Sequence, residues 1–212
     1  MSSDSKKALL LDLIKHTVDL NQLEKNQKPL FVISFVGLTG VGKSTVAHIL
    51  KQKSDLPLFS HDDIRAFLYE KGHDHEDREL IEWLSLERAS YLLKEGVSFI
   101  LDGDVVTYYK TLEKRLEQLG GHLLLINVIC DLNIVMERLN KRQFGEKQFV
   151  GNVNFSPADF NTYFKRRFLH TQGNYPDKFF ALVNNSHNSE GQVEELWFKI
   201  KMWMRKQELG LQ

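Results

Sequence analysis

The sequence predicts an α/β protein: a five-stranded parallel sheet with helices on both faces. Three observations lead there. Five short apolar runs alternate with helical patterns along the chain, as successive strand–helix–strand crossovers require. The first run leads directly into Gly37-Leu38-Thr39-Gly40-Val41-Gly42-Lys43-Ser44, a glycine-rich turn ending in a lysine and a hydroxyl, and a helical pattern follows. Finally, 212 residues suit one domain with a full core and leave too little for a second, so residues 1–212 are read as a single domain.

Composition narrows the function classes. Lys plus Arg and Asp plus Glu number 28 each, so no global basic field announces nonspecific nucleic-acid binding, although a local groove stays open. The single cysteine, Cys130, cannot form an intramolecular disulfide. It lies in the apolar run LLLINVIC, where a buried structural thiol is expected, and this fits a reducing, cytoplasmic setting. No stretch approaches the roughly 20 apolar residues of a spanning helix, and the run from Ala8 to Ile14 is broken by Asp12 and lacks a cleavage site. No membrane partner is expected.

From the N-terminus, Leu9, Leu10, Leu13, Ile14, Val18 and Leu20 fall at mostly helical spacing, making residues 1–28 an amphipathic N-terminal helix segment. It docks on its own domain or, alternatively, meets a partner. Phe31 to Val36 reads as a fully buried strand. In the turn that follows, Gly37, Gly40 and Gly42 let the backbone bend with its N–H groups inward. With Thr39, Val41 and Thr45 they form a cradle at the positive end of the next helix, suited to the phosphates of ATP. Lys43 is expected to reach the β- and γ-phosphates and the Ser44 hydroxyl to ligate Mg²⁺.

After that helix and a short strand from Leu56 to Phe59, Ser60-His61-Asp62-Asp63-Ile64-Arg65 opens another helix. Ser60 reads as its cap, with both aspartates favoured by the macrodipole. The same turn also offers a carboxylate and an arginine as a base and an acceptor clamp, and the two readings are compatible. His61, His73 and His75, with Glu76 and Asp77, match no closed zinc spacing and are read as solvated.

A helix from about Asp77 to Lys94 stops at Gly96, and the strand Val97 to Leu101 closes on Asp102. A carboxylate there either orders a Mg²⁺ shell or forms the turn, and Asp104 is a second candidate. A helix from Tyr108 to Leu119, a strand from His122 to Cys130 and a helix from Asp131 to Arg142 follow. The polar residues 143–156 are too long for a tight connection and are expected to form a lid. Ser156 and Pro157 open a further helix, whose Arg166 and Arg167 either face the lid cavity or solvate the surface; Arg166 is taken as the acceptor-binding candidate. The strand Phe179 to Val183 leads to Asn184-Asn185-Ser186, placed to touch a nucleobase, and residues 192–208 form a C-terminal helix.

The strings GLTGVGKST, SHDDIRAFLYEKG, FILDGD, ERLNKR and SPADFNTYFKRRF resemble the P-loop kinases related to the 5′-polynucleotide kinases, over about 31–185. Adenylylsulfate kinases share the look of GLTGVGKST, and zeta-toxin-like kinases are further relatives. The resemblance implies a three-layer P-loop NTPase fold with strand order 2-3-1-4-5 and a lid. It implies Asp62 as general base, Arg65 as the acceptor-phosphate ligand, and Arg138 and Arg142 as lid-helix arginines, the latter beside the donor phosphates. One departure concerns the acceptor: relatives commonly carry Asp-Thr-Asn or Asp-Ala-Thr-Asn after the third strand, where this chain has Asp102-Gly103-Asp104-Val105. The GTPase strings NKxD and DxxG, and an LSGGQ-like signature, do not occur. The expectation is an ATP- and Mg²⁺-dependent kinase acting on a hydroxyl of a nucleotide, a nucleic-acid end or a small anionic metabolite. Its alternatives are a sugar, antibiotic or adenylylsulfate kinase, and a non-catalytic nucleotide-binding switch.

Overall fold

A computed structural model describes residues 3–17, 23, 29–144 and 175–210, with the backbone alone at 140–144. In chain order the elements are α1 (Ser3–Thr17), β1 (Leu30–Val36), α2 (Lys43–Ser54), β2 (Leu58–Ser60), α3 (His61–Glu70), α4 (Arg78–Lys94), β3 (Phe99–Asp102), α5 (Tyr109–Gln118), β4 (Gly121–Ile129), α6 (Leu132–Phe144), β5 (Ala181–Asn184) and α7 (Ser189–Glu208). The strands form one parallel sheet in the order β2-β3-β1-β4-β5. Of the expected lid, residues 145–156 lie outside the described residues, as does the whole helix expected over 155–172.

The two-residue period of β1 divides the core. Leu30, Val32 and Val36 pack with Leu92 and Leu93 of α4 and Leu112 and Leu116 of α5. Phe31, Ile33 and Phe35 point the other way, onto Val46 and Leu50 of α2 and Val193, Leu196 and Ile200 of α7. All seven residues of β1 are buried, which is why it reads as a continuous apolar run rather than an alternating one. Its one polar member, Ser34, donates to the Leu101 carbonyl at 3.1 Å.

Local chemistry moves some strand ends. Pro57 has no N–H to give the ladder, and β2 starts after it at Leu58; the Pro57 carbonyl still accepts from Ile100 at 2.8 Å. The strand expected from Val97 starts at Phe99, and before it the Ser98 hydroxyl accepts from the Phe31 N–H at 3.1 Å. β4 ends at Ile129, leaving Cys130 half-buried just beyond the strand instead of inside it.

Helix α1 docks on its own chain. Leu9 and Leu13 are buried among Ile64, Phe67 and Leu68 of α3 and Leu80, Ile81 and Leu84 of α4. The connection after β1 runs to β2 on one side of the sheet and that after β4 to β5 on the other, so the crevice opens at the carboxyl ends of β1 and β4.

Candidate active site

The glycine-rich loop occupies that crevice. Gly37 follows β1 with its backbone so close to β4 that a Cβ would stand 2.3 Å from the Val128 carbonyl oxygen. Gly42, the N-cap of α2, adopts a left-handed φ of 92°, and a Cβ there would meet the Asn185 amide nitrogen at 2.0 Å. Gly40 lies against Leu139 and Val135 of α6, and Thr39 is half-buried at the loop's turn. Lys43 folds back over the loop and donates from Nζ to the carbonyls of Gly37 at 2.7 Å and Leu38 at 3.0 Å. Ser44 and Thr45 are exposed on the first turn of α2.

Two residues expected to meet nucleotide brace the loop from behind. Asn185, 1% exposed, donates from Nδ2 to the Val41 carbonyl at 2.8 Å and accepts through Oδ1 from the Ser189 hydroxyl. Its amide is thus engaged with the loop and with α7. Arg138 donates to the Val41 carbonyl at 3.3 Å and to the Asn185 carbonyl at 2.9 Å, and its Nη1 lies 3.4 Å from Cys130 Sγ. The contacts tie the loop to α6 and to the end of β5.

Carboxylates line the adjoining strand ends. Asp102 is the last residue of β3; burial pushes its carboxyl above the ordinary range, while the nearby Ser44 hydroxyl and the Lys43 charge pull it down. At β2, the neighbour of β3, Ser60 caps α3 by accepting from the Asp63 N–H at 3.0 Å, and Asp63 accepts from the Ser60 N–H at 2.7 Å. The capping box therefore uses Asp63. Asp62 projects outward, its side chain 75% exposed, and accepts from Arg65 at 2.7 Å. Asp104 accepts from the Val106 N–H at 3.3 Å and lies 4.0 Å from Arg78.

Beneath these turns lies a polar cluster that the sequence does not announce. His61 is 7% exposed, and its Nε2 sits 2.6 Å from the Tyr108 hydroxyl, itself 3.1 Å from Ser85 Oγ. Burial, with the charges of Arg65 and Arg88 behind it, pushes His61 down to about 3, so the ring is neutral. Arg88, buried and lowered by that burial to about 10, donates to the Ser60 carbonyl at 3.0 Å and packs over the Phe59 ring. His61 thus departs from its expected solvated state: the aromatic wall of Tyr108 holds it inward. His73 is exposed and His75 packs its ring edge-on to Tyr69, so the three histidines do not converge. The one cue in the string was Gly103, a glycine between Asp102 and Asp104 directly after the strand.

Arg142 falls on the backbone of α6, and its side chain lies outside the described residues. Arg166 also lies outside them. Among the described residues, no three His, Cys, Asp or Glu side chains gather in a metal-holding group, and no helix is long and apolar enough to cross a membrane. The Ser44 hydroxyl and Asp102 carboxylate are hard oxygen donors at the loop. They fit Mg²⁺, which takes one or two protein ligands and completes its shell with phosphates and water.

Solved structures share the fold at low identity. A sugar kinase from Janibacter sp. superposes with a TM-score of 0.53 and 17% identity, over 82% of this chain and 95% of that one. A shikimate kinase from Bacteroides thetaiotaomicron gives 0.60 and 12%, over 81% and 98%. The Mycobacterium tuberculosis APS kinase, solved with AMPPNP and APS, gives 0.56 and 15%, over 81% and 98%. The fold is therefore P-loop kinase-like. No curated protein matches the chain. The family model described as an AAA domain (AAA_33) matches residues 32–153, more than half of the chain, and the chain belongs to that family.

Proposed function

We propose that the protein is an ATP-dependent phosphotransferase that moves the γ-phosphate of ATP to a hydroxyl of a nucleotide, a nucleic-acid end or a small anionic metabolite. The observation that carries this reading is the division of labour in the first turn of α3. Asp63 closes the cap, so Asp62 is spare, exposed and oriented by Arg65 one turn on. A loop that holds phosphate needs no such carboxylate, whereas transfer to a hydroxyl does.

In this reading the inward N–H groups of residues 37–45 and the Lys43 ammonium hold the β- and γ-phosphates of ATP. Asp62 takes the proton of the acceptor hydroxyl as its oxygen bonds to the γ-phosphorus and the bond to the bridging oxygen of ADP breaks. Lys43, joined by Arg142, balances the charge on the transferring group. Arg65 grips an anionic acceptor, with Asp104 and Arg166 as further acceptor-binding candidates. Ser44 and Asp102 would hold Mg²⁺, which when bound neutralises phosphate charge. Arg138 and Asn185 act from behind the loop, at the Val41 carbonyl. Residues 143–156 act as the lid that keeps water out. The lone, half-buried Cys130 supports a cytoplasmic setting.

The test is transfer from γ-labelled ATP to oligonucleotides, nucleosides, sugars and adenylylsulfate, wild type against Asp62→Asn. Transfer to at least one hydroxyl acceptor is expected, with a loss of at least ~100-fold in the variant. Equal transfer by the variant removes Asp62 from the mechanism, and ATP hydrolysis without any transfer favours a nucleotide-dependent switch.

A further inference from the structure

We propose that His61 is a positioning residue that locks the Asp62 turn onto the Asp102 turn, with Gly103 as the seat its ring requires. What the lock accomplishes rests on the phosphotransferase reading; its existence rests on contacts within the fold.

β2 and β3 end side by side at the pair Ser60 and Asp102, so His61 and Gly103 are the residues that directly follow each strand. The His61 ring turns inward and lies over Gly103, where a Cβ would stand 2.6 Å from the ring atoms Cδ2 and Nε2. That approach is closer than side-chain carbons make, so any larger residue at 103 moves either the ring or the turn. The ring has little freedom to move. It stacks on Tyr108 at 5.9 Å between centroids, and its Nε2 is hydrogen-bonded to the Tyr108 hydroxyl, which also meets Ser85 of α4.

His61 is the first residue of α3 and Asp62 the second, so the seating of the ring decides where Asp62 points. Asp62, held at its tip by Arg65, takes its position from the backbone beneath. Arg88 grips that backbone from the other side through the Ser60 carbonyl, and its Nη1 has no partner among the described residues. Asp102 pairs with Ser60 across the two strand ends and Asp62 follows Ser60 by two residues, so the two carboxylates belong to adjoining turns. Their separation is set by the His61–Gly103 contact, and transfer rates respond steeply to such placements. The neutral, enclosed ring acts by its shape.

A double-mutant cycle tests this. Gly103→Ala is expected to lower kcat for phosphoryl transfer by about 10- to 100-fold with KM for ATP unchanged. Adding His61→Ala is expected to recover part of that loss, because the smaller side chain makes room for the new methyl. In an Asp62→Asn background neither substitution lowers kcat further, since the lock acts through Asp62. Tyr108→Phe removes the hydroxyl that meets both His61 and Ser85 and leaves the stacked ring, so it keeps the fold; about a five-fold lower kcat is expected from losing the hydrogen bond to His61. A second readout does not depend on activity: backbone amide exchange at 61–65 and 103–105 rises together in Gly103→Ala and falls only part of the way back, again together, in the double variant, which has lost the clash but also the ring. Exchange that rises at one turn only, or a double variant no better than Gly103→Ala, overturns the lock. A wild type that transfers phosphate to no hydroxyl while the two turns exchange in concert overturns the phosphotransferase reading and sustains the lock.

Discussion

Helices α2 and α3 both begin where a parallel strand ends, at the same edge of the sheet, yet the chain treats their N-termini in opposite ways. α2 starts from Gly42, which has no side chain to cap with, and its first turn carries no acidic residue. α3 starts from Ser60, whose hydroxyl and backbone are joined to Asp63 in a reciprocal cap, with Asp62 alongside. A helix N-terminus favours negative charge in either case. At α2 that preference is left for a ligand, while at α3 the chain's own aspartates meet it. On the proposed function the difference assigns the tasks: the uncapped end would receive phosphate, and the capped end would present a fixed carboxylate to the acceptor.

Gly42→Ala should have the largest effect on this contrast. A side chain at φ 92°, 2.0 Å from the Asn185 amide, is expected to cost on the order of 3 kcal/mol in denaturant unfolding and to weaken ATP binding in calorimetric titration. Unchanged ATP affinity would show that the uncapped end is not the anion site.

The next effect comes from pH and bears on α3 alone. His61 is lowered from 6.5 to about 3, so between those values the unfolded chain binds a proton that the folded chain does not. Its contribution is complete above about pH 6.5 and is lost on acidification, at up to about 1.4 kcal/mol per pH unit. Thermal melts at about pH 7 and pH 5 should therefore differ by about 2 kcal/mol more in the wild type than in His61→Phe. Asp102, raised by burial, has the opposite sign: its contribution is present below the unfolded value of 3.8 and lost as pH rises through the folded one. Subtracting the His61→Phe curve removes it. Equal pH dependence in the two proteins would mean that His61 titrates in the folded state.

Ser60→Ala should be the mildest, costing about 1 kcal/mol as a lost cap, read in a melt, with ATP affinity unchanged. If it weakened ATP binding as much as Gly42→Ala, the two helix ends would not be doing different jobs.

Legibility in the sequence followed the range of the contacts. The loop was readable because its chemistry requires glycines, a lysine and a hydroxyl within eight consecutive residues. The sheet was readable because β1 is buried on both faces and carries an apolar run interrupted only by Ser34. Asp62 and Asp63 were visible as a pair but interchangeable, since only the capping geometry decides which of them bends back to Ser60. Asn185 was placed at the right end of the sheet for a nucleobase, yet its amide braces Val41, 144 residues away, and no local pattern encodes that pairing.

By itself, then, the sequence determined which of the described segments are strands and helices, and where a glycine-rich turn with a lysine and a hydroxyl falls between the first strand and its helix, because periodicity and short motifs are properties of neighbouring residues. Tertiary structure alone decided that His61 is buried and neutral, that Gly103 must be small, and that Arg138 and Asn185 converge on Val41. Those facts follow from strand order, which sets β2 beside β3 and carries the ends of β5 and α6 to the loop, and from the exclusion of water that such packing brings.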